Sequence, residues 1–273
     1  MPVDHYENFP VASILLPKHL RRPVEIIYNF ARQADDFADE GDFPNAERLA
    51  KLDNFRTELH RIANHETPQT PLFCDVANIV AEHQLPLQLF HDLLDAFSQD
   101  VVKKRYANFD ELLDYCRRSA NPVGRLLLHL YEEATLQNLI YSDAICTALQ
   151  LINFWQDVKK DYSIGRIYLP QDEMMRFAVT EAHLAQGLPD KAWRDLMRFQ
   201  VNRTRDMMKS GAPLGTILPG RIGLEMRLII AGGNRILHKL RSVNYDMFER
   251  RPVLRLHDWV IMLMQSAPFN FLT

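Results

Sequence analysis

Pro23-Val-Glu-Ile-Ile-Tyr-Asn-Phe-Ala-Arg-Gln-Ala-Asp-Asp-Phe-Ala-Asp-Glu40 reads as one amphipathic helix with an anomaly at its end. Pro23 suits the first turn, where its missing N–H is not needed, and Gly41 stops the helix. Val24, Ile27, Tyr28 and Ala31 share a face, and that face runs on into Asp35 and Asp39. A stripe that begins apolar and should enter the core thus ends in two carboxylates one turn apart, about 6 Å along the axis. Like charges at this spacing repel, and the helix dipole disfavours anions at a C-terminus. Two such penalties together point to a bound cation.

The segment from Ser142 to Asp161 repeats the pattern. Gln150, Asn153, Asp157 and Asp161 follow at spacings of three, four and four on one face, while Leu149, Ile152, Trp155 and Val158 hold much of the rest. The polar stripe is expected to face a cavity inside the fold, with its acids again last, before Gly165. Two D-x-x-x-D pairs across a cavity offer hard oxygen ligands without an all-protein cage. That arrangement suits Mg²⁺ shared between carboxylates and phosphate oxygens. Either pair alone reads equally as a solvated helix end; the two together favour the metal. Arg32 lies one turn before Asp36, and Arg166 and Tyr168 follow the second pair, so groups able to bind a diphosphate as its charge develops are close in sequence. Lys159 and Lys160 read as ordinary surface pairing.

The rest of the chain sets the frame. Its 273 residues are 47% hydrophobic and 25% charged, enough for one large domain, and no repeat, low-complexity tract or linker divides it, so 1–273 reads as a single domain. Only 10 glycines are present, and prolines fall between periodic segments. Helices are expected over 23–40, 45–64, 72–83, 86–101, 109–118, 122–138, 141–161, 190–210, 221–242 and 255–264, with no convincing strand. A net charge of −3 gives no footprint for nucleic acid, and Lys103-Lys-Arg105 reads as a solvated helix end. Cys74, Cys116 and Cys146 lack C-x-x-C spacing, which argues against a disulfide framework or zinc site and for a reduced, cytoplasmic setting. No signal peptide is read at the N-terminus, and no apolar run approaches the ~20 residues of a membrane span. Trp259 to Met264, with Phe269 and Phe271, can lie on a membrane surface or form a packed C-terminal helix. His60 and His65 form no H-E-x-x-H, and Ser13 has no G-x-S-x-G context.

Taken in order, several segments resemble the squalene/phytoene synthase family. They are Ser13-Ile-Leu-Leu-Pro17, Tyr28 to Glu40, Asp100 with Arg105-Tyr106, Tyr115-Cys-Arg-Arg-Ser-Ala-Asn-Pro-Val-Gly124, Gln150 to Asp161, Gly165-Arg-Ile-Tyr-Leu-Pro170 and Tyr245-Asp-Met-Phe248. The resemblance spans nearly the whole chain. It implies an all-α isoprenoid synthase fold, a helical bundle around a central cavity, with two Asp-rich motifs across three Mg²⁺ ions. By position, Asp35 and Asp39 would be ligands from the first motif and Asp157 and Asp161 from the second. Ser13, Tyr28, Arg32, Tyr115, Gln150, Asn153, Arg166 and Tyr168 match residues that line the substrate pocket.

His5 to Ser13, Ala34 to Gly41 and Ser119 to Arg125 are similar to the bacterial hopanoid-pathway branch, whose members convert presqualene diphosphate and water to hydroxysqualene. A presqualene diphosphate synthase would be the functional partner, and no NADPH is expected. Gln156 stands where carotenoid-type relatives usually place Arg, and Asn121-Pro122 where they usually have Gly-Thr. Loss of a cation beside Asp157 is compatible with handling a single diphosphate. Three rivals stand beside this reading: an NADPH-dependent squalene synthase, a phytoene-type synthase joining two C20 diphosphates, and a non-catalytic assembly factor of the same fold. The four intact motif aspartates argue against the last.

Overall fold

The computed structural model describes residues 16–266, in which every regular element is helical. After a 3-10 turn at Lys18–Leu20 come α1 (Arg21–Asp39), α2 (Asn45–Ala63), α3 (Pro71–His83), α4 (Leu87–Val102), α5 (Phe109–Ser119), α6 (Asn121–Leu130) and α7 (Leu136–Gln156). They are followed by α8 (Val158–Ser163), α9 (Gln171–Arg176), α10 (Glu181–Gln186), α11 (Lys191–Gly211), α12 (Leu214–Ile217), α13 (Gly220–Ser242) and α14 (Leu256–Ser266). The all-α expectation holds, and most helices begin and end within two residues of their sequence boundaries. Ser13, Phe269 and Phe271 lie outside the described residues.

Two expected helices differ at their boundaries, each for a local reason, and the second also starts five residues earlier, at Leu136. The helix expected over 122–138 closes at Leu130, because Glu132 turns left-handed (φ 58°) and the Glu133 N–H reaches back to the Leu128 carbonyl. This is a Schellman-type stop without the glycine that usually signals it. Thr135 Oγ1 then accepts the Asn138 N–H at 3.2 Å and starts α7. The helix expected over 141–161 is interrupted at Asp157 (φ −104°, ψ 14°), which separates α7 from α8.

The chain forms two compact units. One comprises residues 16–103 and 114–139. In it α1 packs on α2, α3 and α4, and α4 on α2 and α6. Its centre is aromatic: Phe30 meets Phe73 and Phe90 edge-on at 5.8 and 5.1 Å, and Phe55 meets Phe73 at 4.8 Å. Ala34 and Ala38 continue the buried side of α1, so the helix is seated to its last turn. Gly41 then takes φ 76°, where a Cβ would meet the Phe43 ring at 2.5 Å. Arg48 of α2 donates to the carbonyls of Phe37, Glu40, Gly41 and Phe43, so a cation serves the acid-rich C-terminus of α1.

The other unit comprises residues 104–113 and those from Ile140 onward. Here α13 packs on α11, α12 and α14, and α8 on α10. Buried Trp155 of α7 donates its indole N–H to Thr204 of α11 at 2.8 Å. Gly233 of α13 allows close approach: a Cβ there would lie 2.7 Å from the Met208 methyl and 3.3 Å from side-chain atoms of Ile152 and Leu149. On α14, Asp258 is fully buried against Arg235 and Lys239 of α13. Burial alone would raise its carboxyl, but hydrogen bonds from Lys239, the Arg255 N–H and Arg235 hold it well below the usual carboxylate range. Among the described residues no helix is long and apolar enough to cross a membrane.

Candidate active site

The last turns of α1 carry an acid cluster. Arg32 pairs with Asp36 at 2.6 Å, with Glu40 at 2.7 Å and, more loosely, with Asp35 at 3.5 Å. One guanidinium therefore serves three carboxylates, and Asp39 adds a fourth. Burial first, and then the Asp39 charge, push the Asp35 carboxyl up to about 7; Asp100 and Asp36 act in the same direction and Arg32 opposes them. Yet 41% of the Asp35 side chain remains open. A carboxyl that is both crowded and reachable can accept a cation from solution.

Asp100 is the member of this cluster to which the sequence reading gave no role. It is buried at the end of α4, where the Tyr115 hydroxyl donates to its Oδ2 at 2.7 Å. A signal existed. Leu89, Leu93, Ala96 and Asp100 form a third apolar stripe that ends in an acid, and all four are buried. Tyr115 is therefore buried as the donor to Asp100, while Tyr28 is half-buried on α1.

In the other unit, Gln150 is half-buried on α7 and Asn153 exposed one turn later. Asp157 differs from its expected setting. It follows α7 as a C-terminal residue, but it is also the N-cap of α8, where the dipole favours an anion. Its carboxylate is held in a fork by Arg251: Nε contacts Oδ1 and Nη2 contacts Oδ2 at 3.1 Å. The sequence reading missed Arg251, whose only mark was a basic pair before Pro252.

Gln156 also differs from expectation. Its side chain is buried and donates to the Pro252 carbonyl at 2.6 Å, so its amide anchors the segment that carries Arg251. Arg251, carried on that segment, is the cation that meets Asp157.

Asp161, Arg166 and Tyr168 do come together. With Phe154, Val158 and Leu184 they line a small crevice of about 10 Å³, room for roughly one water. Arg166 and Tyr168 are buried, and the Tyr168 ring lies flat on Phe154 at 3.8 Å and against Tyr106 at 5.7 Å. The aromatic stack and the buried guanidinium place an apolar surface beside a fixed positive charge.

The donor set fits a hard dication. Among the described residues no three His, Cys, Asp or Glu side chains converge as a metal cage. Mg²⁺ does not require one, since it commonly takes one or two carboxylates with the remaining positions given to water and phosphate. Asp35, Asp36 and Glu40 share the one guanidinium of Arg32, and Asp157 holds that of Arg251, so each motif already draws positive charge to its carboxylates.

Known proteins share both this sequence pattern and this fold. The sequence model described as squalene/phytoene synthase matches residues 3–258. A hydroxysqualene synthase of Rhodopseudomonas palustris is 37% identical over 258 residues, covering 93% of this chain and 86% of the relative. One from Zymomonas mobilis is also 37% identical, over 82% of this chain and 75% of its own. Among solved structures, squalene synthase HpnC from Alicyclobacillus acidocaldarius superposes with a TM-score of 0.81 at 35% identity, covering 88% of this chain and 90% of that one.

Proposed function

The chain belongs to the squalene/phytoene synthase family and has its isoprenoid synthase fold, and from that premise we propose that it is a hydroxysqualene synthase. The reaction would ionise presqualene diphosphate, rearrange the cyclopropylcarbinyl cation and capture the resulting allylic cation with water, giving hydroxysqualene and diphosphate. The observation that carries this reading is the 37% identity, over 93% of the chain, to a relative bearing that name.

Each side chain has a part consistent with its position. Asp35, Asp39, Asp157 and Asp161 would hold Mg²⁺, which would supply positive charge to the departing diphosphate. Arg32 and Arg166 would donate to phosphate oxygens and offset charge as the carbon–oxygen bond breaks. Phe154, Tyr168 and Tyr106, stacked on one another, would form part of an apolar wall near a carbocation. Gln150 and Asn153 supply amides able to orient a water. Asp100, fixed by Tyr115, adds negative charge beside Asp35.

Residues 3–258 match the family as one continuous stretch, which supports treating the chain as one functional domain. An enzyme that makes presqualene diphosphate would act before it, inside the cell. Leu256, Val260, Leu263 and Met264 are exposed on α14, which supports a peripheral contact with the membrane that holds such apolar lipids.

A second reading, NADPH-dependent squalene synthase, is favoured by the likeness to the Alicyclobacillus squalene synthase structure. Incubation with presqualene diphosphate and Mg²⁺, with and without NADPH, separates the two. Hydroxysqualene in both arms supports the first reading, and squalene formed only with NADPH supports the second.

A further inference from the structure

We propose that Arg251 is a diphosphate-binding residue, parked on Asp157 in the metal-free protein and released to the substrate when Mg²⁺ takes that carboxylate. The inference rests on the reading of Asp157 as a metal ligand. Its starting point is the fork itself. Arg251 Nε and Nη2 address the two oxygens of Asp157, so the guanidinium already engages the carboxylate that a cation would need.

The backbone around Arg251 is pinned to the elements that carry Asp157. Gln156, the residue before Asp157, holds the Pro252 carbonyl at 2.6 Å, and Lys159, two residues after it, holds the Phe248 carbonyl at 3.1 Å. Trp193 donates to the Tyr245 carbonyl at 2.8 Å and packs its ring on Phe248 at 4.6 Å. Asn244 and Tyr245 lead into this strap with φ of 54° and 60°, a left-handed conformation rarely adopted by tyrosine and held here by those contacts.

A fixed backbone with a long side chain gives the guanidinium an anchored arc of movement. About a quarter of the Arg251 side chain is exposed, so its path is not closed. A dication at Asp157 would stand beside a like charge and drive the guanidinium off. A diphosphate brought in with that dication offers the same planar fork a stronger anionic partner. The exchange breaks no covalent bond and moves no proton: Asp157 trades one cation for another, and Arg251 trades one anion for another.

Opposite effects on two ligands test the exchange. Using the full chain, Mn²⁺ binding without substrate is titrated by electron paramagnetic resonance, and inorganic pyrophosphate binding is measured by calorimetry with Mg²⁺ saturating. Arg251→Gln should bind Mn²⁺ roughly three- to tenfold more tightly, having lost its competitor, and pyrophosphate about tenfold or more weakly. Arg251→Lys keeps the charge without the fork and should fall between, and it carries the test if the Gln variant does not fold. A residue that merely braces the strap would weaken both ligands or neither. Mn²⁺ affinity unchanged or reduced in both variants, or pyrophosphate affinity unchanged, overturns the proposal. Asp157→Asn in the same titration separates the two failures. If it loses Mn²⁺ while the Arg251 variants behave as wild type, the metal reading stands and the exchange falls. If it binds Mn²⁺ as wild type does, both fall.

Discussion

The Tyr115 hydroxyl donates to the Asp100 carboxylate over 2.7 Å, with both side chains buried. A buried carboxylate that loses a donor keeps its desolvation cost with one compensating hydrogen bond fewer. Tyr115→Phe, which keeps the ring and removes only that donor, should therefore lower unfolding free energy by roughly 1.5–3 kcal/mol. Urea unfolding at neutral pH measures it, and a change within error would show that Asp100 draws nothing from Tyr115.

Asp35 makes metal-free stability depend on pH in a defined direction. Its carboxyl lies near 7 in the folded chain, against an ordinary 3.8. The folded state therefore keeps a proton that the unfolded state gives up, and stability falls as pH rises from about 4 to 7. Asp35→Asn removes that dependence. Without metal the variant should gain on wild type between pH 4.5 and 8, by on the order of 1 kcal/mol, because solvent screens so open a side chain. Denaturant midpoints at the two pH values report the gain; a wild type that instead strengthens relative to the variant contradicts it.

Asp157 should behave in the opposite sense. It is paired with Arg251 through a fork, so Asp157→Asn leaves a guanidinium without its carboxylate and should cost about 1–2 kcal/mol in metal-free protein. Both Asn variants should cut Mg²⁺-dependent turnover by about a hundredfold or more while keeping helical circular dichroism. Equal stability effects in the two variants, or retained turnover in either, would count against the assigned roles.

Position 156 tests substrate number. Farnesyl diphosphate alone should give little or no condensed product. Because Gln156 is buried against the Pro252 carbonyl, Gln156→Arg should not create a condensing enzyme; it should bury a charge and destabilise by about 3 kcal/mol or more. Product analysis with farnesyl diphosphate and a melting curve decide both points. Efficient condensation by either protein would refute the single-diphosphate account.

Much of this architecture is legible in the chain because helical periodicity and its breakers are local signals. Pro71 and Pro86 mark real boundaries, and the acid-ended stripe of α1 was visible for the same reason. The stop at Leu130 was not visible, since Glu132 adopts the left-handed turn that a glycine would have announced. Nor was the break at Asp157, which no proline or glycine marks. Arg48 and Arg251 escaped notice because their roles arise from contacts 11 and 94 residues away in sequence. Asp100 was the recoverable omission, lying on a stripe of the kind already read twice.

The source of the product's oxygen separates water capture from reduction. Purified protein is incubated with presqualene diphosphate and Mg²⁺ in ¹⁸O-labelled water, with and without NADPH, and the lipid is identified by mass. Water capture of the allylic cation predicts hydroxysqualene carrying one ¹⁸O, with rate and product indifferent to NADPH. An unlabelled alcohol, or squalene formed only when NADPH is supplied, would contradict the account.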